Sequence, residues 1–183
     1  ICSGAERKAT LPVVSRHASD ENEGMSPPVP TLSPDEVAEW IVRHVPRSEF
    51  QGQRVLLIVP DATRTAPMPL LFRALHAHLA PAARQVDVIV ALGTHPPLSE
   101  PQFCRLLGIA PEERETRYGR TRLINHCWDD PAQLLTLGTL SADQTREISG
   151  GLLSEDVPVR INRLVAEYDR LLVVGPVFPH EVV

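Results

Sequence analysis

Two rhythms of apolar and polar positions alternate along the chain. Ser33-Pro34-Asp35-Glu36 offers a capping serine, a proline at the first helical position and a glutamate three residues past the cap, and Val37, Trp40, Ile41 and Val45 follow at helical spacing. That combination predicts a helix opening at Ser33. The rhythm then changes to a near-continuous apolar run, Arg54–Pro60, of the kind a strand shows when both its faces are covered. The run ends in a polar loop, Asp61-Ala62-Thr63-Arg64-Thr65. A helix over Met68–Leu79 leads to a second buried-type strand, Val86–Leu92, which also ends in a polar loop, Gly93-Thr94-His95-Pro96-Pro97.

A short helix around Glu100–Leu107 and a strand over Arg122–Asn125 follow, while residues 131–162 read as short strands and turns. Val159–Tyr168 reads as partly helical and feeds a strand, Leu171–Val174, that opens into Gly175-Pro176-Val177-Phe178-Pro179-His180. Buried strands alternating with helices predict right-handed crossover units and an α/β, Rossmann-like parallel sheet with helices on both faces. Ligands in such sheets bind beyond the carboxyl ends of the strands. The three loops with unusual polar residues fall at those ends.

Charge and composition narrow the function classes. Eighteen basic against 23 acidic residues give a net charge of −5, so no broad basic face is available to neutralise a nucleic-acid backbone. No apolar run approaches the roughly 18–20 residues needed to cross a bilayer. The chain is expected to bind neither nucleic acid nor membrane. Of the 18 basic residues 17 are arginine, and the one lysine, Lys8, lies in a stretch rich in Ser, Asp, Asn, Glu, Gly and Pro with no apolar period. Schiff-base and P-loop chemistry both need a lysine in the folded site. Residues 1–32 are expected to be a disordered tail, residues 33–183 the folded domain, and Met25 a possible natural start. Cys2, Cys104 and Cys127 form no CxxC pair and no zinc spacing, and with no secretory signal in view they point to the reducing cytoplasm.

No GxGxxG, GxSxG or GxxxxGK[ST] segment follows any strand, which leaves the usual nucleotide readings unsupported. What the loops do bring to the ligand edge is an aspartate and an arginine three apart, Asp61 and Arg64, and two histidines, His95 and His180, from different strand ends. A guanidinium can grip a carboxylate in a two-pronged way, and imidazole exchanges protons near neutrality. Two opposed bases suit a racemase or epimerase, whose enantiomeric substrates present their reacting groups in mirror-related positions. From spacing alone, loop capping and a local Asp61–Arg64 ion pair remain equally open readings.

At these same loops the sequence resembles the nickel-dependent lactate racemase family, in its N-terminal domain. The matching words are Asp61-Ala62-Thr63-Arg64, Ala91-Leu92-Gly93-Thr94-His95-Pro96, the weaker Asn125-His126, and Val159-Arg160-Ile161-Asn162-Arg163 with Asp169–Glu181, in the family's order. The resemblance implies a 2-hydroxy acid racemase or epimerase acting by hydride transfer to a nickel pincer nucleotide, a pyridinium bisthiocarboxylic acid mononucleotide. It implies that His95 and His180 are the catalytic acid/base pair, that Arg64 contacts the substrate, and that Asp61, Thr63 and Arg64 lie beside the cofactor. No residue of this chain falls on the metal-ligand position. In the family the Pro-His-Glu word runs on into a glycine-rich segment and a lysine that carries the cofactor; Lys8 cannot substitute. The expectation is therefore a truncated N-terminal domain of a two-domain enzyme, inactive by itself. A non-catalytic remnant that docks a small carboxylate is the alternative.

Other candidates read as structural. His76 and His78, two apart on a helix and so about 200° apart around its axis, cannot share a metal. They are expected to be solvated, with His17 and His44, and His126 to be structural. Asp129-Asp130-Pro131 reads as a turn or helix start, Cys104 as a small buried hydrophobe and Trp40 as core or interface.

Overall fold

The computed structural model describes residues 31–177. Its first helix, α1 (Pro34–His44), carries the predicted capping box: the Glu36 N–H donates to Ser33 Oγ at 3.3 Å and the Ser33 N–H to Glu36 Oε2 at 2.7 Å. The chain then builds β1 (Arg54–Pro60), α2 (Met68–Leu79), β2 (Gln85–Ala91), α3 (Glu100–Leu107), α4 (Pro111–Glu115) and β3 (Leu123–Asn125). After β3 come β4 (Leu134–Leu140), α5 (Ala142–Ile148), β5 (Val157–Asn162), the single turn α6 (Leu164–Glu167) and β6 (Arg170–Val173). Strands β3, β2, β1 and β6 form, in that order, a parallel sheet; β4 and β5 form a separate antiparallel pair. The α/β class with a parallel sheet flanked by helices is the one the apolar pattern predicts, and its strand ends shift by a single residue.

The reason lies in how both faces of β1 and β2 are covered. Val55, Leu57 and Val59 of β1 join Val86, Val88 and Val90 of β2 on one face, where they pack with Ile41 of α1, Phe72, Leu75 and Leu79 of α2 and Phe103 and Leu107 of α3. On the other face Leu56, Asp87 and Ile89 are equally enclosed. Chain order runs outward from β1 through β2 to β3, then returns to the far side of β1 at β6. A right-handed return carries residues 126–169 across that second face, and the Tyr168 hydroxyl donates to the Asp87 carboxylate there. Gly108, left-handed at φ +66°, ends α3 where a Cβ would stand 2.6 Å from Pro69 Cβ, so α2 and α3 meet only because this residue is glycine.

Two expectations are corrected. Residues 131–162 hold more order than short strands and turns: two strands, β4 and β5, flank a helix, α5, that opens with its own capping box, Ser141 Oγ accepting from the Gln144 N–H at 3.4 Å. Val159–Tyr168 is partly helical, as expected: Leu164–Glu167 forms α6, and the residues up to Asn162 complete β5. His76 and His78 are buried, each 7% exposed. Helix α2 runs between α1 and α3 above the sheet, so two of its opposed flanks are covered. His76 Nε2 meets Thr121 Oγ1 at 3.0 Å, and His78 Nε2 donates to the Val45 carbonyl at 2.7 Å.

Other side chains fall closer to their reading. His44 is exposed, as expected, and stacks on Trp40, which is 52% exposed and so no core residue. Cys104 is half-buried against the core, and Asp130 caps a short turn through the Ala132 N–H. His17, Lys8, Cys2, Met25 and the expected tail lie outside the described residues, apart from the tail's last two positions.

Candidate active site

Chain order leaves β1 on one side for β2 and returns on its other side at β6, and a crevice opens at the carboxyl edge of this switch point. A cavity of about 620 Å³ lies there, walled by the ends of β1, β2 and β6 and by the loops that follow β1 and β2. It brings together Asp61, Thr63, Arg64 and His95, four of the five residues singled out from the sequence. The fifth, His180, lies outside the described residues.

Each of the four is held by its own local chemistry. Asp61 is the first residue past β1, and its carboxylate folds back onto the loop: Oδ1 accepts from the Thr63 N–H at 3.1 Å and from Thr63 Oγ1 at 2.6 Å. This side-chain turn fixes the loop. The other oxygen, Oδ2, takes the His95 Nδ1 proton. Burial pushes the Asp61 carboxyl up, but the bonds from Thr63 and His95 outweigh it and hold it below the ordinary carboxylate range. The pairing therefore runs from Asp61 to His95, and the local ion pair with Arg64 does not form. The Arg64 N–H donates to the Asp61 carbonyl at 3.3 Å. Its guanidinium is exposed and has no hydrogen bond or ion pair among the described residues.

His95 is reached through a turn that needs Gly93, left-handed at φ +57°. The His95 N–H closes the turn on the Leu92 carbonyl at 3.0 Å. With Nδ1 spent on Asp61, Nε2 is the ring atom left for a ligand, on a side chain that is 53% exposed. A buried carboxylate behind a half-exposed imidazole sets which nitrogen carries the proton and which way the ring faces.

One residue named from the sequence only as part of a weak family word shapes this loop. Asn125, at the end of β3, accepts from the Leu98 N–H at 2.9 Å and donates to the Leu98 carbonyl at 2.9 Å, clamping the chain three residues past His95. An asparagine at a strand end is the only signal of this in the sequence. Its neighbour His126 accepts at Nδ1 from Asn162 Nδ2 at 3.0 Å. Among the described residues no three His, Cys, Asp or Glu side chains gather closely enough to hold a metal ion. Also among them, no helix is long and apolar enough to cross a membrane.

A family model described as the lactate racemase N-terminal domain matches residues 43–183. A crystal structure of a protein from Thermotoga maritima is similar at a TM-score of 0.66 and 27% identity, over 78% of this chain and 33% of its own. The chain thus spans about a third of the length of that structure. Among proteins of curated function, none matches the chain.

Proposed function

Since the chain belongs to the lactate racemase N-terminal domain family, we propose that its carboxyl-edge cavity is the acid/base and carboxylate-binding part of a 2-hydroxy acid racemase or epimerase site. The observation that carries the reading is the Asp61–His95 pair facing the same cavity as the unpartnered guanidinium of Arg64. Arg64 grips the substrate carboxylate. His95 Nε2 takes the proton from the hydroxyl while the hydrogen on the adjacent carbon leaves with its electron pair, giving a ketoacid. His95 gives that proton back in the reverse direction, and Asp61 keeps the ring oriented throughout as a positioning residue. His180, by family resemblance, is the matching base for the other enantiomer.

When bound, a nickel pincer nucleotide supplies the acceptor for the departing hydride. The described residues suit such a group. The cavity is within the size range of small-molecule sites, and Val173, Val174 and Pro176 offer an apolar wall for a flat ring. The chain's own contribution is orientation and proton transfer, since hydrogen on a hydroxycarboxylate carbon is too weakly acidic for two bases alone.

Calorimetric titration of the 183-residue chain with L-lactate, D-lactate and pyruvate tests the binding half of this reading. Both enantiomers should bind, and Arg64→Ala should weaken each by about tenfold to a hundredfold, the value of a charge-assisted pair. Binding of one enantiomer only, or affinity indifferent to Arg64→Ala, would sink it.

A further inference from the structure

The opposite edge of the sheet carries a second concentration of charge. Five arginines from separate stretches of chain, Arg54 on β1, Arg84 before β2, and Arg117, Arg120 and Arg122 before β3, line two adjoining cavities of about 160 and 520 Å³. Two of them are already engaged. Arg54 forks onto Asp169 with both contacts at 3.3 Å, and Arg122 Nε stands 3.5 Å from Asp87. The other three are not. Arg117 lies 5.5 Å from the ring centre of Tyr118, and the guanidiniums of Arg84 and Arg120 have no hydrogen bond or ion pair among the described residues.

The backbone beneath them is fixed. Gln85 Nε2 donates at once to Asp87 Oδ1 at 2.7 Å and to the Arg120 carbonyl at 2.6 Å, tying the segment before β2 to the segment before β3. Two carboxylates share the larger cavity. Asp87 is enclosed and saturated by donors, and Glu167 lies 3.8 Å from Arg163. Neither pairs with Arg84, Arg117 or Arg120; Asp169 acts on Arg84 and Glu113 on Arg117 only through space, without an ion pair, so the opening presents three guanidiniums whose donors, in a planar fork, are free for a ligand.

We propose that this amino-edge hollow is a binding site for a multiply charged phosphoanion, separate from the carboxyl-edge cavity and independent of the function proposed there. A single phosphate would engage only part of an opening this wide. A diphosphate, free or as part of a nucleotide, can meet several guanidiniums at once. Calorimetry on the 183-residue chain with inorganic pyrophosphate, orthophosphate and ADP as probes tests this. Pyrophosphate should bind saturably and more tightly than orthophosphate, weakening as salt rises. The double change Arg84→Gln with Arg120→Gln should weaken it about tenfold or more without moving the unfolding midpoint, while Arg64→Gln should leave it unaltered. ADP binding more tightly than pyrophosphate identifies a nucleotide as the source of the anion; equal or weaker binding identifies free polyphosphate. No saturable binding, or a loss on Arg64→Gln but not on the double change, overturns the site.

Discussion

Asp61 and Asp87 are both buried aspartates beside strands of the same sheet, and they are used in opposite ways. At the amino edge, Asp87 is saturated: Gln85 Nε2, the Arg122 N–H and the Tyr168 hydroxyl all donate to it, with Arg122 Nε at 3.5 Å. The bond from Gln85 stays within β2, while those from Arg122 and Tyr168 hold the segments before β3 and β6 to it. At the carboxyl edge, Asp61 spends one oxygen on its own loop and the other on a histidine whose remaining nitrogen faces a cavity. A buried carboxylate whose partners are all structural steadies a scaffold. One that passes its charge to a half-exposed titratable group orients chemistry, and the difference lies in the partner rather than in the depth.

The sharpest way to break this contrast is to remove both carboxylates in turn. Asp87→Ala strands a part-buried N–H and a part-buried hydroxyl and frees a half-exposed guanidinium, and should cost about 3 kcal/mol of unfolding free energy. Asp61→Asn keeps the Thr63 contacts within reach and should cost only about 1 kcal/mol. If the site reading holds, the same change made in a two-domain enzyme that carries this domain should slow hydroxy acid racemisation about a hundredfold, the lower end of what a positioned acid/base group contributes. Urea denaturation reads the first effect. Nitrogen chemical shifts of the His95 ring read the second without needing turnover, since Asp61→Asn should redistribute the proton between its two nitrogens. Equal stability losses for the two variants, with an unchanged His95 tautomer, would erase the distinction.

The two edges also differ in their histidines. His95 is half-exposed with a carboxylate behind it, whereas burial, with Arg117 nearby, pushes the buried His76 down to about 4 from its ordinary 6.5. Between pH about 4 and 6.5, His76 is thus neutral in the fold but takes up a proton on unfolding. Unfolding is favoured progressively as pH falls from 6.5 to about 4, by a total of about 3 kcal/mol. Denaturation midpoints measured across that window should fall with pH. His76→Gln should flatten the slope, and a slope unchanged by that variant would mean that other groups carry it.

Much of this was legible in the sequence for a physical reason: β1 and β2 are apolar on both faces, and α1 and α3 begin at serines with a partner side chain three residues on. Where pattern failed, burial came from elements distant in sequence. The flanks of α2 that carry His76 and His78 look solvated until α1 and α3 arrive on either side. The crossover strands β4 and β5 alternate weakly, with a register shift between Thr136 and Gly138, and α5 between them is short. Within the site, Asp61, Thr63, Arg64 and His95 stood out by residue type at strand ends. The Asp61–His95 bond spans 34 positions, and local spacing favoured Arg64 as the aspartate's partner instead.

Two tyrosines carry the comparison to its smallest effect. Tyr168 spends its hydroxyl on Asp87, and burial together with that bond pushes its ionisation well above the usual tyrosine range. Tyr118, fully enclosed against Phe72 and His76 with ring centres 5.1 and 4.9 Å away, has a hydroxyl with no hydrogen-bond partner among the described residues. Removing the same atom from each should therefore act in opposite directions. Tyr168→Phe deletes a bond to a charged acceptor and should destabilise by about 2 kcal/mol, whereas Tyr118→Phe relieves a buried unsatisfied hydroxyl and should stabilise by about 1 kcal/mol. Thermal midpoints of the two variants measured side by side decide it. A loss on Tyr118→Phe as large as that on Tyr168→Phe would mean that the Tyr118 hydroxyl has a partner after all, and that the enclosed ring cluster is tied as firmly as the Asp87 network.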